Sequence, residues 1–128
     1  MAVETKLTKR WVGAMEGRGA VVVPYVASQM QPSGYPDRIV WHAWWTGWIE
    51  LKGHRTRVQR NQRLRMRELN RRRAGSAYVF RFVDGSSEAR WAGTVEDQEG
   101  GVLSTIVDDP GVILATLQFL TERERAGP

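Results

Sequence analysis

The sequence predicts an α/β domain in the order helix, three strands, helix, strand, with a further helix at the C-terminus. Three observations predict this class. Apolar residues recur at helical spacing near the N-terminus, two short strand-like segments flank a four-residue turn, and a long arginine-rich helix precedes a β-branched and aromatic run. At 128 residues, the chain fits a single domain with a core at about 4–83 and an extension at 84–128.

Apolar spacing and chain breakers define the first two elements. Residues 3–16 predict an amphipathic helix, ended by the glycines at 17 and 19, with inward positions Leu7, Trp11 and Met15. The valine-rich residues 20–30 predict a strand. Pro24 places that strand at a sheet edge or at a bulge, because proline lacks the N–H that a central strand donates.

The middle of the chain predicts a hairpin followed by a helix and another strand. Residues 38–42 and 47–52 form the two strands, and residues 43–46 form their turn. A long helix then begins at Thr56 or Arg57 and runs to Ala74, where Gly75 closes it. Residues 77–83 predict the next strand.

The last third of the chain has a weaker pattern. Short strand-like pieces occur at 89–95 and 102–107. Asp109 and Pro110 are a favourable N-cap and first helical residue, so they predict a C-terminal helix whose apolar positions are Ile113, Leu117 and Leu120.

The composition limits the chemistry. The chain has no cysteine, which excludes disulfides, thiolate zinc sites, iron–sulfur clusters and a cysteine nucleophile. A bound metal would therefore have oxygen or histidine ligands, which favours Mg²⁺ or Mn²⁺. No apolar run approaches the length of a membrane span and the N-terminus lacks a secretory pattern, so we expect a cytoplasmic, intracellular protein without membrane contact.

The positive charge is concentrated in residues 55–73, hereafter the arginine segment. The net charge of the chain is +5, whereas this segment holds nine arginines against Glu68 alone. An ordinary charge run is a solvated helix face, but so one-sided a run repels itself and favours an external polyanion. The sequence therefore predicts nucleic-acid contacts, through Arg55, Arg57, Arg60, Arg63 and Arg67.

Two carboxylates fall opposite each other in the predicted hairpin. If the turn is centred between Ala43 and Trp44, Asp37 faces Glu50 across the two strands. Facing like charges are unfavourable, and a divalent cation between them reverses that repulsion. Lys52 points to the same face as Glu50 because side chains alternate along a strand. The alternative is a turn aspartate beside an exposed Glu–Lys pair.

Two further polar residues lie on apolar helix faces. Glu4 shares the stripe of Leu7 and Trp11, so it is a candidate to turn inward. Gln62 lies within the apolar face of the arginine-rich helix, which consists of Val58, Gln62, Met66 and Leu69. A buried glutamine needs hydrogen-bond partners, which a carboxylate cluster would supply. Taken singly, the pattern favours an ordinary helix-terminal glutamate for Glu4 and an exposed glutamine for Gln62.

These stretches resemble the PD-(D/E)XK nuclease superfamily, and more narrowly its small VRR-NUC and phage-type Holliday-junction-resolvase-like members. The resemblance covers about 4–83 and rests on Gly34-Tyr35-Pro36-Asp37-Arg38-Ile39-Val40, Trp48-Ile49-Glu50-Leu51-Lys52-Gly53 and the helix glutamine. It implies a restriction-endonuclease-like core of a helix, a three-stranded meander, a helix and a strand, followed here by the C-terminal helix.

The resemblance also implies roles for individual residues. Asp37, Glu50 and the backbone carbonyl of Leu51 would hold Mg²⁺ or Mn²⁺, and Lys52 would position or activate the attacking water. Glu4 would complete the metal site, with Glu16 as the alternative. The helix glutamine corresponds to Gln62, or less well to Gln59.

The function expected from these residues is metal-dependent endonucleolytic cleavage of DNA, with branched or structured DNA as a possible substrate. Because each chain offers one metal centre, we also expect a homodimer, with Trp44 and Trp45 in the interface or against DNA. The alternative for these indoles is packing onto their own sheet. The rival functions are a non-catalytic nucleic-acid-binding protein of the same fold and a membrane-surface scaffold.

Overall fold

The computed structural model describes residues 2–25, 35–71 and 76–127, with side chains described from residue 6 onward. Three helices and five strands occur in these ranges, in the predicted α/β order with one added strand. They are α1 (Ala2–Gly17), β1 (Val21–Pro24), β2 (Arg38–Trp41), β3 (Thr46–Lys52), α2 (Arg60–Arg71), β4 (Ser76–Phe82), β5 (Gly93–Glu96) and α3 (Pro110–Ala126).

The strands form one sheet in the order β1-β2-β3-β4-β5. The first three strands are an antiparallel meander, as predicted. The pairing of β3 with β4 is parallel, so the chain must cross over between them, and α2 makes that crossover. β5 then returns antiparallel to β4.

The sheet is covered on both faces. On one face, Ile49 and Phe80 pack with Trp11 of α1 and Leu117 of α3, and all four are buried. On the opposite face, Ala77 and Val79 pack against Met66 and Leu69 of α2 and against Val58, which precedes that helix. The predicted inward positions of α1, α2 and α3 are therefore confirmed, except that the side chain of Glu4 lies outside the described residues and Gln62 is only half-buried.

The predicted hairpin register is confirmed. Arg38 pairs with Ile49, and the pairs that follow keep the same register to the end of β2. Asp37 immediately precedes β2, so the same register places it opposite Glu50. A one-residue slip would have sent Glu50 to the other face of the sheet.

The arginine-rich helix begins later than predicted. Thr56 does not start the helix, because its carbonyl oxygen accepts a hydrogen bond from Arg81 Nη1 at 2.6 Å. In a helix that carbonyl would accept from the backbone N–H of Arg60. Arg55 and Arg57 consequently lie in a loop, and α2 starts at Arg60. The predicted end, residues 72–75, lies outside the described residues.

Two other boundaries differ from the predictions. The strand predicted over 20–30 is described only as β1, which ends at Pro24, and residues 26–30 lie outside the described residues. The piece predicted at 89–95 forms β5 at Gly93–Glu96 instead. Residues 102–107 do not form a regular strand; they contact β5 through two isolated bridges, from Val102 and Val107.

The expectation that both turn tryptophans lie in the subunit interface or against DNA is wrong for Trp45, for which the alternative of packing onto its own chain is confirmed. Its indole is 4% exposed, packs near Tyr78 and donates a hydrogen bond from Nε1 to Thr121 Oγ1 at 2.9 Å. Burying the ring with its N–H satisfied is more favourable than leaving it in water. Trp44 remains 45% exposed.

Of the described residues, none belongs to a helix with the length and apolarity needed to traverse a bilayer.

Candidate functional site

Asp37 is held in place by its own backbone. Its N–H donates to Glu50 Oε1 at 3.0 Å, and its carbonyl oxygen accepts from Tyr25 N at 2.9 Å and from Arg38 Nη1 at 2.8 Å. The carboxylate Oδ1 accepts from the backbone N–H of Leu51 at 3.3 Å. These bonds join the start of β2 to the end of β3, where Asp37 and Glu50 meet.

Glu50 is the most buried carboxylate of this group, with 5% of its surface exposed. Its Oε2 accepts from Gln62 Nε2 at 3.1 Å and lies 3.4 Å from Lys52 Nζ. Burial raises the pKa of Glu50 to about 7, the charge of Asp37 adds to that rise, and Lys52 opposes it. Burial also raises the pKa of Asp37, against the lowering effect of Arg38.

Gln62 connects α2 to this pair. Gln59 is the N-cap of α2, and its backbone N–H donates to Gln62 Oε1 at 2.9 Å. This is the side chain-to-cap half of a capping box, made by a residue three positions after the cap. The same amide then directs its Nε2 to Glu50. The alternative residue Gln59 is exposed, so of the two glutamines Gln62 is the one that reaches the carboxylates.

A cavity of about 300 Å³ opens beside the carboxylates at this end of the sheet. Its lining includes Asp37, Leu51 and Lys52, with Arg38 on one side and Thr8 and Lys9 of α1 on the other. The N-terminal half of α1 therefore faces the same end of the sheet as Asp37.

This placement bears on the candidates for a third acidic residue. Glu4 lies one turn before Thr8 in α1, and its side chain is outside the described residues. Glu16 is exposed next to Gly17, which lies near His42 at the opposite end of β2. The geometry therefore disfavours Glu16.

The donor set suits a hard divalent cation. Both carboxylates offer oxygen ligands, the type that Mg²⁺ and Mn²⁺ prefer, and both have raised pKa values that a nearby cation would lower. Within the described side chains, no group of three or more His, Cys, Asp and Glu residues is assembled to hold a metal. The residues present fit a cation held by Asp37 and Glu50 with help from backbone oxygen and water.

The five arginines predicted to bind nucleic acid fall in two places. Arg55 and Arg57 are exposed in the loop before α2, and Arg60, Arg63 and Arg67 lie along one stripe of the helix. Arg67 makes a bidentate ion pair with Glu99, through Nε at 2.5 Å and Nη2 at 2.6 Å. Part of the positive charge is therefore balanced within the chain, which the sequence spacing did not indicate.

Sequence reasoning also missed residues that line or support the site. Arg38 follows Asp37 directly and lies within the stretch that carries the resemblance, but the sequence gives it no role in the site. Lys9 approaches the site through the packing of α1 on the sheet, for which no local pattern exists. Neither histidine lies in the candidate site: His42 Nδ1 accepts from Trp44 N and His42 Nε2 lies 3.0 Å from Arg18 O, and His54 is exposed.

No protein-family model and no curated protein matches the sequence. Among solved structures, the chain is similar to Hjc from Archaeoglobus fulgidus, a Holliday junction resolvase from an archaeal hyperthermophile. The TM-score is 0.57 over 89% of this chain and 98% of that chain, at 12% sequence identity. The two chains share a fold. The predicted restriction-endonuclease-like architecture is thereby confirmed.

Proposed function

We propose that this protein is a Mg²⁺- or Mn²⁺-dependent endonuclease that hydrolyses DNA phosphodiester bonds, with branched DNA as its substrate class. The observation that carries the proposal is the buried Glu50 held against Asp37, with Lys52 beside it, at the edge of a cavity. The shared fold supports it, because Hjc is a Holliday junction resolvase.

Each residue of the site has a role in this proposal. Asp37 and Glu50 would hold the cation, with the Leu51 carbonyl as a further oxygen and Glu4 as a fourth candidate ligand. A bound cation would lower the pKa of water and stabilise charge on the phosphate. Lys52 orients the attacking water or stabilises the transition state, and Gln62 fixes the Glu50 carboxylate. The arginines of the arginine segment hold the DNA backbone without reading its sequence.

The main rival is a nucleic-acid-binding protein without catalysis. Carboxylates repel phosphate, so pure binding gives no reason to place the half-buried Asp37 against the buried Glu50 beside a basic surface. The cost of this burial is visible in their raised pKa values. A cation-dependent reaction accounts for the pair, because both carboxylates would then bind the cation.

We also propose that the active form is a homodimer, because cleavage of two strands requires two metal centres. We further propose a place among the small VRR-NUC or phage-type resolvase-like nucleases, on the resemblance of the motif residues. The proposed cytoplasmic location rests instead on the sequence, which has neither a long apolar run nor a secretory pattern.

The test is incubation of nicked, linear and four-way-junction DNA with the purified protein and Mg²⁺, Mn²⁺ or EDTA. We expect cleavage only with the cation, and a loss of at least about a hundredfold in Asp37→Asn and Glu50→Gln. Binding of uncleaved DNA in EDTA, measured by fluorescence anisotropy, should stay equal or become slightly tighter, because each variant removes a charge that repels phosphate.

Glu88→Gln is the matched control, since it removes an exposed carboxylate that pairs with Lys6 on the protein surface. It should cleave like the wild type. Full activity in either site variant, or identical loss in the control, would refute the assignment. Titration of Mn²⁺ by calorimetry provides a second readout, in which binding is expected for the wild type and absent in Glu50→Gln.

A further inference from the structure

Arg81 lies next to the candidate site without contacting either carboxylate of it. It is on β4, where it pairs in parallel register with Lys52 of β3. Its side chain is 20% exposed, and that of its partner Glu96 is 8% exposed. Removing the charges of Arg81 and Glu96 from water costs desolvation free energy, which suggests that the contacts of Arg81 have a specific role.

The guanidinium group makes contacts in two directions. Nε lies 2.5 Å from Glu96 Oε2 and Nη2 lies 3.4 Å from Glu96 Oε1, which fixes the plane of the group. Nη1 then donates to the carbonyl oxygens of Gly53 at 2.9 Å and Thr56 at 2.6 Å. The rigid fork of arginine permits this double use, which the single ammonium of lysine does not reproduce.

The two carbonyls belong to a loop with functional residues at both ends. The helix-entry loop, residues 53–59, follows Lys52 immediately and ends at Gln59, the N-cap of α2. Gln62 is placed by that cap, and both Lys52 and Gln62 contact Glu50 Oε2. A contact that fixes the helix-entry loop therefore also fixes Lys52 and Gln62, the two side chains that meet Glu50 Oε2.

We infer that Arg81 is a positioning residue: with Glu96 as its anchor, it holds the helix-entry loop so that Lys52 and Gln62 meet Glu50. The consequence for cleavage rests on the proposed nuclease function. The control of the loop does not depend on that function, and it is measured separately.

The experiment compares Arg81→Lys with Arg81→Met and with Arg90→Lys, the same conservative change at an exposed arginine. Lysine can still pair with Glu96, whereas methionine cannot. We expect Arg81→Lys to keep more of the thermal stability than Arg81→Met. Hydrogen exchange in residues 53–59 should nevertheless accelerate about tenfold in Arg81→Lys, while β4 and β5 stay protected.

For cleavage, we expect kcat of Arg81→Lys to fall by about tenfold to a hundredfold with the Kd for DNA within about twofold, because small displacements of reacting groups are costly. Loop exchange equal to the wild type would overturn the inference. So would exchange that accelerates equally across the sheet, since that pattern means a structural role only. If the wild type cleaves no DNA, the proposed function fails and the exchange result still decides the role of Arg81.

Discussion

Glu50 is the residue at which folding and the proposed chemistry conflict. The hairpin register buries it, α2 and β3 surround its carboxylate with donors, and its pKa is still raised to about 7 from the ordinary 4.5. The donors thus only partly compensate for the loss of water. Because the pKa of Glu50 differs between the folded protein and the unfolded chain, the stability of the protein depends on pH.

The sign of that dependence follows from the direction of the shift. Between the unfolded value of 4.5 and the folded value of about 7, the native state binds the proton more tightly than the unfolded state. The free energy of unfolding should therefore fall as pH rises through this window, and level off above it. We expect a loss on the order of 2 kcal/mol that Glu50→Gln does not show.

Urea unfolding of both proteins at about pH 4.5 and about pH 8 measures this difference, and subtraction removes the other titrating groups that the proteins share. If the difference in stability between wild type and variant is the same at both values, burial of the charged carboxylate is not the cause. Saturating Mn²⁺ at the higher pH should restore part of the loss, because a cation binds the ionised form.

The individual residues of the site were predictable where a local rule applied. Strand alternation and the turn centre placed Asp37, Glu50 and Lys52 together, and the apolar stripe of α2 identified Gln62. Lys9 and Arg81 were missed for a different reason. The position of Lys9 depends on how α1 packs on the sheet, and that of Arg81 depends on the parallel pairing of β4 with β3, and no spacing within one segment encodes either.

At the scale of the element, α2 presents two different faces. Met66 and Leu69 are buried against the sheet, whereas Arg60, Arg63 and Arg67 form a stripe on the other side. The helix thus supports the core and offers a row of guanidinium groups, the arrangement that suits backbone phosphates.

Replacement of Arg60, Arg63 and Arg67 by alanine should weaken binding to all DNA sequences alike. The slope of log affinity against log salt should shrink by about 0.9 for each lost phosphate contact on duplex DNA. The matched control removes three exposed arginines elsewhere, Arg90, Arg123 and Arg125. Equal losses in both triple variants would mean that only net charge matters, and unchanged binding at low salt would leave the stripe as a solvated face.

If the stripe binds DNA as proposed, Glu99 competes with DNA for Arg67. Its carboxylate is bidentate with Arg67, and the hydrogen bond from Arg67 lowers the pKa of Glu99 below its ordinary value, so the carboxylate stays charged. Asp97 fixes the turn that carries it, by accepting from Glu99 N and Gly101 N at 2.8 Å each.

Glu99→Gln should therefore tighten DNA binding and steepen the salt slope by about 0.9. The gain should vanish in an Arg67→Ala background, which separates release of Arg67 from the general loss of a negative charge. Glu122→Gln, an exposed change on α3, is the control. A gain that persists without Arg67 would contradict the competition.

Element boundaries were less predictable than element types. The helix, hairpin and capping patterns gave the correct kinds of element and the correct N-cap at Asp109, whose side chain accepts from Val112 N at 3.1 Å. The predicted start of α2 was wrong because Arg81, which is distant in sequence, donates a hydrogen bond to the carbonyl oxygen of Thr56. Residues 102–107 form isolated bridges to β5 instead of a regular strand. Alternation of side chains within this segment could not distinguish these two outcomes.

At the scale of the whole molecule, Trp44 is the turn tryptophan that remains available for the proposed dimer interface. Trp44 lies with Val112 and Phe119 of α3 around an open groove, and these three side chains are 45%, 49% and 60% exposed. Burying such surface against a second copy is favourable by about 25 cal/mol per Å² of apolar area, before the entropic cost of association.

Light scattering at tens of micromolar, with and without DNA, should give a dimer for the wild type and a monomer for Trp44→Ala. Ile106→Ala is the control, because it removes an apolar side chain that is 64% exposed elsewhere. A wild type that stays monomeric in both conditions would defeat the dimer and favour an enzyme that nicks one strand.

The two outer strands of the described sheet, β1 and β5, differ in what lies at their outer edges. This difference affects the tendency of the protein to aggregate at high concentration. Leu103 N donates to Val95 O at 2.8 Å, and Gly93 and Val107 exchange two hydrogen bonds, so the outer edge of β5 is occupied. β1 ends in Pro24, which has no N–H to donate. Open strand edges recruit other chains and start fibrils. Residues 102–107 thus cover the outer edge of β5. We expect their deletion to expose that edge to pairing with other chains and so to promote aggregation of the protein.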